Sequence, residues 1–396
     1  MKYNIDSFPN RYGTSCFKWD GMASSFGPEA RYPLFVADMD FESAPEIIDA
    51  LRKRVDHKVF GYTSTPEDYL QAVVDWEKNQ HRFPIEKDWI LFSPGVVPAI
   101  FWIVTNFSQP GENVLVFKPV YNPFFNAIEK QGRKIVSCDL DCDENGYYTI
   151  NFEKMEKTIV DSNIKLMIFC SPHNPVGRCW TKEELEQVIA ICKKHNVLIV
   201  SDEIHQDIVF KGHTHIPTAS IAGDYANNIF TVTAATKTFN LAGLQNSILI
   251  ISDPEKRQII KDYQTNTLEM TGGNLLGYTA VTAAYTRGIE WMHQMLDYVW
   301  DNYCYLVDFC KNNLPMLKIT PLEATYLAWV NCKELKMDDD ALREFLIKDC
   351  GIAANMGNVY GQNGEGYIRL NLGCPRYILQ EALQSMYNAV KAKGLC

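Results

Sequence analysis

Five short apolar runs recur along the first two-thirds of the chain. They are "WILF" (89–92), "NVLVF" (113–117), "IKLMIF" (164–169), "VLIVS" (197–201) and "NIFTVT" (228–233). Their apolar residues are continuous and do not alternate with polar ones, which predicts strands that are covered on both faces. A longer apolar segment, "VVPAIFWIVTNF" (96–107), follows the first run and predicts a helix.

The segment between the third and fourth runs predicts an amphipathic helix over residues 182–195. Thr181 and Glu184 have the spacing of a capping box, which satisfies free N–H groups at a helix start. Apolar residues then recur at helical spacing on one face (Leu185, Val188, Ile189 and Cys192). Strand, helix and strand in succession form a unit of parallel sheet. The sequence therefore predicts an α/β protein with a mostly parallel sheet.

Unusual side chains follow the predicted strands at the points where the strands end. They are Gly95, Tyr121, Asn174, Asp202, His205 and Lys237. Because ligands of such sheets bind beyond the carboxyl ends of the strands, we expect these residues to lie close together. Each residue alone also has an ordinary interpretation, such as a helix cap for Asp202, a turn for Asn174 or a solvated amine for Lys237.

Composition narrows the class of protein. A formal net charge of −10 over 396 residues disfavours a nucleic-acid partner, which would require a basic face. Twelve cysteines without a C-x-x-C pair predict reduced thiols in a cytoplasmic protein. The apolar runs are too short for a membrane helix, and the first residues lack the apolar core of a signal peptide. The two histidines of "GHTH" (212–215) predict a polar turn, so no metal site is expected.

The residues at the strand ends share one chemical use, which is to bind pyridoxal 5′-phosphate. Lys237 offers an amine for a covalent link to this cofactor. Asp202 offers a carboxylate that would keep the ring nitrogen protonated. Asn174 could donate to the phenolic oxygen, and Tyr121 could cover the ring face. His205 is assigned to the same cofactor site.

The cofactor phosphate requires donors, and the predicted helix at 96–107 supplies them. Gly95, Val96 and Val97 lie at its start, where backbone N–H groups have no partner within the helix. Thr236, directly before Lys237, could add a hydroxyl.

Eight segments carry a resemblance to a known family. They are "FVADMDF" (35–41), "VFGYT" (59–63), "PGVVPAI" (94–100), "PVYNPF" (119–124), "SPHNPVG" (171–177), "SDEIHQD" (201–207), "TKTFNLAGL" (236–244) and "YIRLNLGCPR" (367–376). Together they resemble the MalY/PatB-type cystathionine β-lyases, which are carbon–sulfur lyases of the class I/II aminotransferase-like, fold-type I pyridoxal-phosphate enzymes. The resemblance implies a large domain with a mostly parallel sheet and a smaller α+β domain.

The resemblance also implies roles that the residues alone do not give. Tyr62 is expected to reach the cofactor phosphate of a neighbouring subunit, which implies a homodimer with composite active sites. Arg369 is expected to grip the substrate's α-carboxylate with two parallel hydrogen bonds; a surface salt bridge is the alternative. Asn355, Ala37 and Asp38 are expected to line the substrate pocket.

Three positions depart from the family pattern. Members often carry Ser-x-Ser before the lysine, whereas this chain has Ala234, Ala235 and Thr236. Related transaminases often have a phosphate-binding arginine where this chain has Gln245. Met356 stands near the expected substrate pocket at a position that varies among relatives, so the substrate preference stays open.

The implied reaction is an α,β-elimination on cystathionine or another cysteine S-conjugate. Lys237, displaced from the cofactor by the substrate's amine, would take the α-proton as general base. Asp202 would hold the electron-accepting ring, Tyr121 would steer Lys237 or assist the leaving group, and the products would be pyruvate, ammonia and a thiol. The alternatives are an aminotransferase that uses a 2-oxo acid and a non-catalytic binding module.

The expected organisation has three parts. Residues 1–44 form an N-terminal arm that belongs to the small domain, residues 45–280 form the large cofactor-binding domain, and residues 281–396 form the rest of the small domain. The last part contains "YLAWVN" (326–331) and "YIRLNL" (367–372), which predict strands, and a predicted helix at 337–350.

Overall fold

The computed structural model describes residues 3–270 and 272–395. The α-helices of this part are α1 (Met22–Phe26), α2 (Pro45–Asp56), α3 (Glu67–His81), α4 (Val96–Phe107), α5 (Pro123–Glu129), α6 (Phe152–Asp161), α7 (Lys182–His195), α8 (Ala235–Thr238), α9 (Pro254–Asn266), α10 (Leu275–Arg287), α11 (Ile289–Asn313), α12 (Asp339–Glu344) and α13 (Arg376–Ala392). The strands are β1 (Tyr32–Pro33), β2 (Ile90–Ser93), β3 (Asn113–Val116), β4 (Lys134–Ser137), β5 (Asp141–Cys142), β6 (Tyr148–Thr149), β7 (Leu166–Cys170), β8 (Leu198–Asp202), β9 (Ile229–Thr233), β10 (Ser247–Ile250), β11 (Lys318–Ile319), β12 (Leu327–Asn331), β13 (Ile352–Ala353), β14 (Asn355–Met356) and β15 (Tyr367–Asn371).

A seven-stranded sheet forms the centre of the fold, in the order β2-β10-β9-β8-β7-β3-β4. Strands β4, β3, β7, β8 and β9 run parallel, and β10 lies antiparallel between β9 and β2. All five strands predicted from apolar runs are present, and every residue of β7 and β9 is buried. The predicted α/β class with a mostly parallel sheet is confirmed. Strands β4 and β10 were not predicted.

The helix predicted after the third apolar run is α7, and its start has the capping box. The backbone N–H of Glu184 donates to Thr181 Oγ1 at 3.2 Å, and the backbone N–H of Thr181 donates to Glu184 Oε2 at 2.8 Å. The four apolar residues predicted to share a face are all buried. The helix ends at Asn196, whose φ of 56° is left-handed and whose N–H closes the last turn.

The C-terminal part contains a second sheet of four strands in the order β11-β12-β15-β14. Strands β12 and β15 confirm the two strands predicted there, and Trp329 of β12 lies opposite Arg369 of β15. The predicted helix at 337–350 is α12 followed by a π-helical turn, Phe345–Asp349. The N-terminal arm joins this region through the pairing of β1 with β13. The predicted domain boundaries stay a prediction.

A buried ion cluster fixes the arm to the body of the protein. The carboxylate of Asp40 accepts from Lys18 Nζ at 2.6 Å, from Arg11 Nη1 at 2.6 Å and from Trp19 Nε1 at 2.8 Å. Lys18 and Asp40 are both buried. A buried charge requires partners of this kind because its desolvation is costly. The arm is therefore an integral part of the fold.

None of the helices described here has the length and apolarity that a membrane crossing requires.

Candidate active site

A cavity of about 190 Å³ opens at the carboxyl edge of the parallel strands. Most of the sequence-predicted cofactor residues line it, namely Gly95, Val96, Val97, Tyr121, Asn174, Asp202, His205, Thr236 and Lys237, together with Ala37 from the predicted substrate pocket. Five strand ends deliver these side chains, from β2, β3, β7, β8 and β9. The structure therefore brings together residues that are up to 200 positions apart in sequence.

Lys237 lies on the short helix α8, which begins directly after β9. Its Nζ donates to the backbone carbonyl of Ala37 at 2.6 Å. Burial lowers the pKa of Lys237 to about 8, and Arg369 adds to the lowering, while Asp38 and Asp202 oppose it. A lowered pKa increases the fraction of neutral amine near neutral pH, which is the form that acts as nucleophile or base.

Asp202 is the last residue of β8 and is buried. Its Oδ1 accepts from the backbone N–H of Ile204 at 3.1 Å. Burial raises the pKa of Asp202 to about 7, against the lowering effects of the Ile204 N–H and Lys237. A buried carboxylate with so few stabilising hydrogen bonds is suited to bind a cationic group.

Tyr121 and His205 complete the walls of the cavity. The backbone N–H of Tyr121 donates to the carbonyl of Asn174 at 3.1 Å, which joins two strand ends. Burial, with Asp202 nearby, raises the pKa of the Tyr121 phenol, so the hydroxyl stays protonated. Burial lowers the pKa of His205 well below its usual value, and Lys237 and Arg369 add to this. His205 is therefore a neutral imidazole, and its buried Nδ1 has no hydrogen-bond partner.

The start of α4 forms the end of the cavity. Gly95 is the residue before the helix, and a Cβ at this position would lie 3.2 Å from Pro98 Cδ. No acidic residue occupies the first turn of α4, so its N–H groups and the positive end of the helix dipole favour an anion. Thr236 and Ser247 add side-chain hydroxyls to the cavity lining.

Arg369 lies on β15, in the second sheet, and reaches toward the cavity. Its Nη1 donates to Asn174 Oδ1 at 3.1 Å, and its Nη2 donates to Asn355 Oδ1 at 2.9 Å. The residue is only 4% exposed, and its buried Nε has no partner. Its guanidinium also lies 5.1 Å from the centre of the Tyr360 ring.

The alternative interpretation of Arg369 as a surface salt bridge is wrong. The side chain is buried, and it forms no ion pair with an acid of the described residues. A buried guanidinium held by neutral amides retains its full positive charge for an anionic ligand.

Comparison with known proteins identifies the family. Residues 33–386 match the model of the family described as aminotransferase class I and II. The chain belongs to this aminotransferase family.

Within the family, the chain is similar to the following curated proteins and solved structure. It is 39% identical to the cystathionine beta-lyase PatB of Bacillus subtilis (98% of this chain, 100% of the relative) and 34% identical to the protein MalY of Escherichia coli (98% and 99%). The crystal structure of cystalysin from Treponema denticola, which contains a pyridoxal 5′-phosphate cofactor, superposes with a TM-score of 0.95 at 39% identity (99% and 100%). These matches confirm the MalY/PatB resemblance and the predicted fold.

The chain is accordingly a pyridoxal-phosphate-dependent enzyme of the carbon–sulfur lyase type. The residues of the cavity fit this cofactor. The first turn of α4 suits the phosphate, Asp202 suits the ring nitrogen, and Lys237 can form the covalent link. Tyr121 and Ile204 both line the cavity. Tyr121 offers a flat aromatic surface to the ring, and Ile204 offers an apolar one. The individual roles of these residues stay predictions.

Four of the predicted residues are not part of the cavity lining, namely Arg369, Asn355, Tyr62 and Asp38. Arg369 and Asn355 connect to it through the bond from Arg369 to Asn174. Tyr62 is fully exposed, on a different part of the surface. Asp38 lines a neighbouring cleft and pairs with Arg11 Nη2 at 2.6 Å. Of the positions that depart from the family pattern, Gln245 is exposed, and Met356 is buried on β14 opposite Ile368, outside the cavity lining.

The structure adds residues that sequence reasoning did not select. Ile204, Cys170 and Ser247 line the cavity, and Tyr326 donates from its hydroxyl to the Ala37 carbonyl at 2.8 Å. Ile204 could have been found, since it lies two positions after Asp202 in the same loop. Ser247 begins the antiparallel strand β10, whose short apolar stretch was overlooked.

Proposed function

We propose that the enzyme cleaves cystathionine or another cysteine S-conjugate by α,β-elimination. The elimination releases a thiol, and hydrolysis of the remaining enamine by one water molecule gives pyruvate and ammonia. The observation that carries this proposal is the placement of one buried, weakly basic amine in the cavity lining and one buried guanidinium directly behind that lining. Lys237 supplies the amine, and Arg369 supplies the guanidinium, which donates to the cavity residue Asn174. The name of the similar cystathionine beta-lyase PatB supports the sulfur substrate class.

Arg369 binds and orients the substrate. Its planar fork of N–H groups matches a carboxylate, and its contacts with Asn174 and Asn355 keep it in place before the substrate arrives. Asn355 accepts from this guanidinium, and Ala37 belongs to the cavity lining beside Lys237, whereas Asp38 lines the neighbouring cleft. An α-amino acid held by its carboxylate at Arg369 directs its Cα toward Lys237.

Lys237 moves the proton. Its amine takes the α-proton of the oriented substrate as general base, a step that the lowered pKa assists. When bound, pyridoxal 5′-phosphate supplies the electron sink for the Cα–H and Cβ–S bonds that break. The buried Asp202 carboxylate holds the ring nitrogen in its protonated form, and the neutral phenol of Tyr121 can donate toward the departing sulfur or steer the lysine.

A direct assay tests the reaction. The holoenzyme is incubated with cystathionine or S-methylcysteine and without any 2-oxo acid. We expect sustained release of pyruvate, with one thiol per pyruvate, because elimination regenerates the cofactor in every cycle. The same mixture with 2-oxoglutarate added serves as the control and is expected to react at the same rate. Turnover that requires 2-oxoglutarate would contradict the lyase and identify an aminotransferase.

We also propose that the enzyme works as a homodimer with composite sites. Val59, Phe60 and Tyr62 form an exposed apolar loop between α2 and α3, and Tyr62 is fully exposed. Exposed apolar groups of this size indicate an interaction surface. In a symmetric dimer this loop would place Tyr62 at the phosphate of the partner's cofactor.

Subunit mixing tests the composite site. Tyr62→Ala and Lys237→Ala chains, each expected to be nearly inactive, are coexpressed with different tags. A mixed dimer would then contain one doubly altered site and one intact site. We expect about a quarter of the wild-type specific activity in a random mixture, because about half of the dimers are mixed and each of these has one intact site. Mixtures as inactive as the separate variants would contradict the shared site.

A cytoplasmic location is part of this proposal. Eleven cysteines of the described residues are free thiols, which supports a reducing compartment.

A further inference from the structure

The backbone of residues 36–41, here called the strap, crosses between the two functional groups of the cavity. On one side the Ala37 carbonyl accepts from Lys237 Nζ at 2.6 Å and from the Tyr326 hydroxyl at 2.8 Å. One carbonyl of the strap therefore fixes the reactive amine, and a buried phenol holds that carbonyl in turn.

The strap is tied to the lysine-bearing turn by Asn240, three residues after Lys237. Asn240 Oδ1 accepts from the Met39 N–H at 3.0 Å, and its Nδ2 donates to the carbonyls of Met39 at 2.9 Å and Phe41 at 3.0 Å. Asn240 has a φ of 57°, in the left-handed region that asparagine tolerates. One amide thus satisfies three backbone groups of the strap.

The strap is tied to the substrate-binding strand by Asn371, two residues after Arg369 on β15. Asn371 Nδ2 donates to the carbonyls of Val36 and Asp38, both at 2.7 Å. The Asp40 N–H donates to the Gly373 carbonyl at 2.8 Å. Asn371 itself is fully buried.

The strap also contains a strained residue. Val36 has a φ of 30°, which is unfavourable for a β-branched side chain. Strained backbone of this kind persists only where the surrounding contacts determine it, and it occurs preferentially at functional sites. The hydrogen bonds that Asn240 and Asn371 form with the strap are contacts of this kind.

We propose that the strap is a positioning element that fixes the Lys237 amine relative to Arg369. Asn240 and Asn371 are its positioning residues. This inference rests on the proposed function for its kinetic part, in which the amine takes a proton from a substrate held at Arg369. The amine lies on α8, after the seven-stranded sheet, and the guanidinium lies on β15 of the second sheet. Their alignment requires such a connection, because a displacement of about 1 Å can lower the rate of a reaction about 100-fold.

The test loosens the strap at the lysine end. Asn240→Gly removes the amide but tolerates the left-handed backbone, so the turn itself is not strained. Asn196→Gly is the matched control, since Asn196 has a φ of 56°, is exposed and caps α7 away from the cavity. The full-length chains are stripped of cofactor, and the rate of covalent capture of added pyridoxal 5′-phosphate is followed by visible absorbance. The α-deuterium isotope effect on turnover is then measured on the reloaded enzymes.

We expect Asn240→Gly to capture the cofactor at least about tenfold more slowly and to show a larger isotope effect, while Asn196→Gly matches the wild type. If Asn240→Gly does not fold, Asn240→Asp, which keeps the acceptor but loses both donors, takes its place in the same measurements. Wild-type capture rates in a folded Asn240 variant would overturn the proposal. If the Asn240 variant captures the cofactor slowly but the wild type releases no pyruvate, the proposed role of the strap would stand and the proposed lyase activity would be rejected.

Discussion

Lys237→Ala is expected to abolish the lyase reaction and the visible absorbance of the covalently bound cofactor. The variant loses both the nucleophile that links the cofactor and the base that takes the α-proton. General-base catalysis alone contributes about 100-fold to 10,000-fold, so pyruvate release should fall by at least about 1,000-fold. The measurement combines the absorbance spectrum of the purified protein with the pyruvate assay.

The control for this variant is Lys211→Ala, at an exposed lysine of a turn, which should keep the wild-type spectrum and rate. A second measurement adds a small primary amine to Lys237→Ala. Partial recovery of turnover is expected, because the dissolved amine can replace the lysine as the base that removes the substrate's α-proton. A Lys237→Ala protein that retains the wild-type spectrum would show that another residue binds the cofactor, and the assignment of the site would be lost.

Arg369→Lys is expected to lower kcat/KM for α-amino acid substrates by about 100-fold and to leave the cofactor absorbance unchanged. Lysine keeps the charge but cannot form two parallel hydrogen bonds to a carboxylate. A hydrogen bond to a charged group contributes about 1.5 to 3 kcal/mol, and 100-fold corresponds to about 2.7 kcal/mol. The measurement is the dependence of pyruvate release on substrate concentration.

Arg343→Lys, on the exposed face of α12, makes the same chemical change at a distance and should have no effect. A comparison of two substrates tests whether Arg369 binds the carboxylate. The amide of the substrate carboxyl group should be a poor substrate for the wild type, and Arg369→Lys should discriminate less between acid and amide. Equal losses for the acid and the amide would contradict carboxylate binding at Arg369.

The parts of the site that sequence could predict are those that follow buried strands. Asp202 comes directly after a continuous apolar run, and Lys237 comes four residues after the end of another. Both could be selected because the geometry of parallel sheets brings such strand ends together. The start of α4 could be selected for the same reason. Arg369 was assigned only through family resemblance, since it lies within a strand of the second sheet and no local pattern marks it.

The parts that sequence could not predict depend on contacts between distant segments. Asn240 and Asn371 appear as ordinary polar residues in the sequence. Their proposed role depends on the strap lying between the turn after Lys237 and the end of β15. Ser247 lies on β10, whose antiparallel direction places the start of the strand at the ligand edge. Neither the direction of a strand nor the path of an arm is encoded in a window of a few residues.

The buried Lys18–Asp40 pair limits how this enzyme can be re-engineered. Asp40 belongs to the same short segment that fixes the reactive amine, so the electrostatics of the arm and the alignment of the catalytic groups cannot be altered independently. Deletion of the first twenty residues would leave an unbalanced anion beneath the active site. Library designs that vary the entrance for new sulfur substrates should therefore keep both charges, or replace them together with apolar residues that fill the same volume.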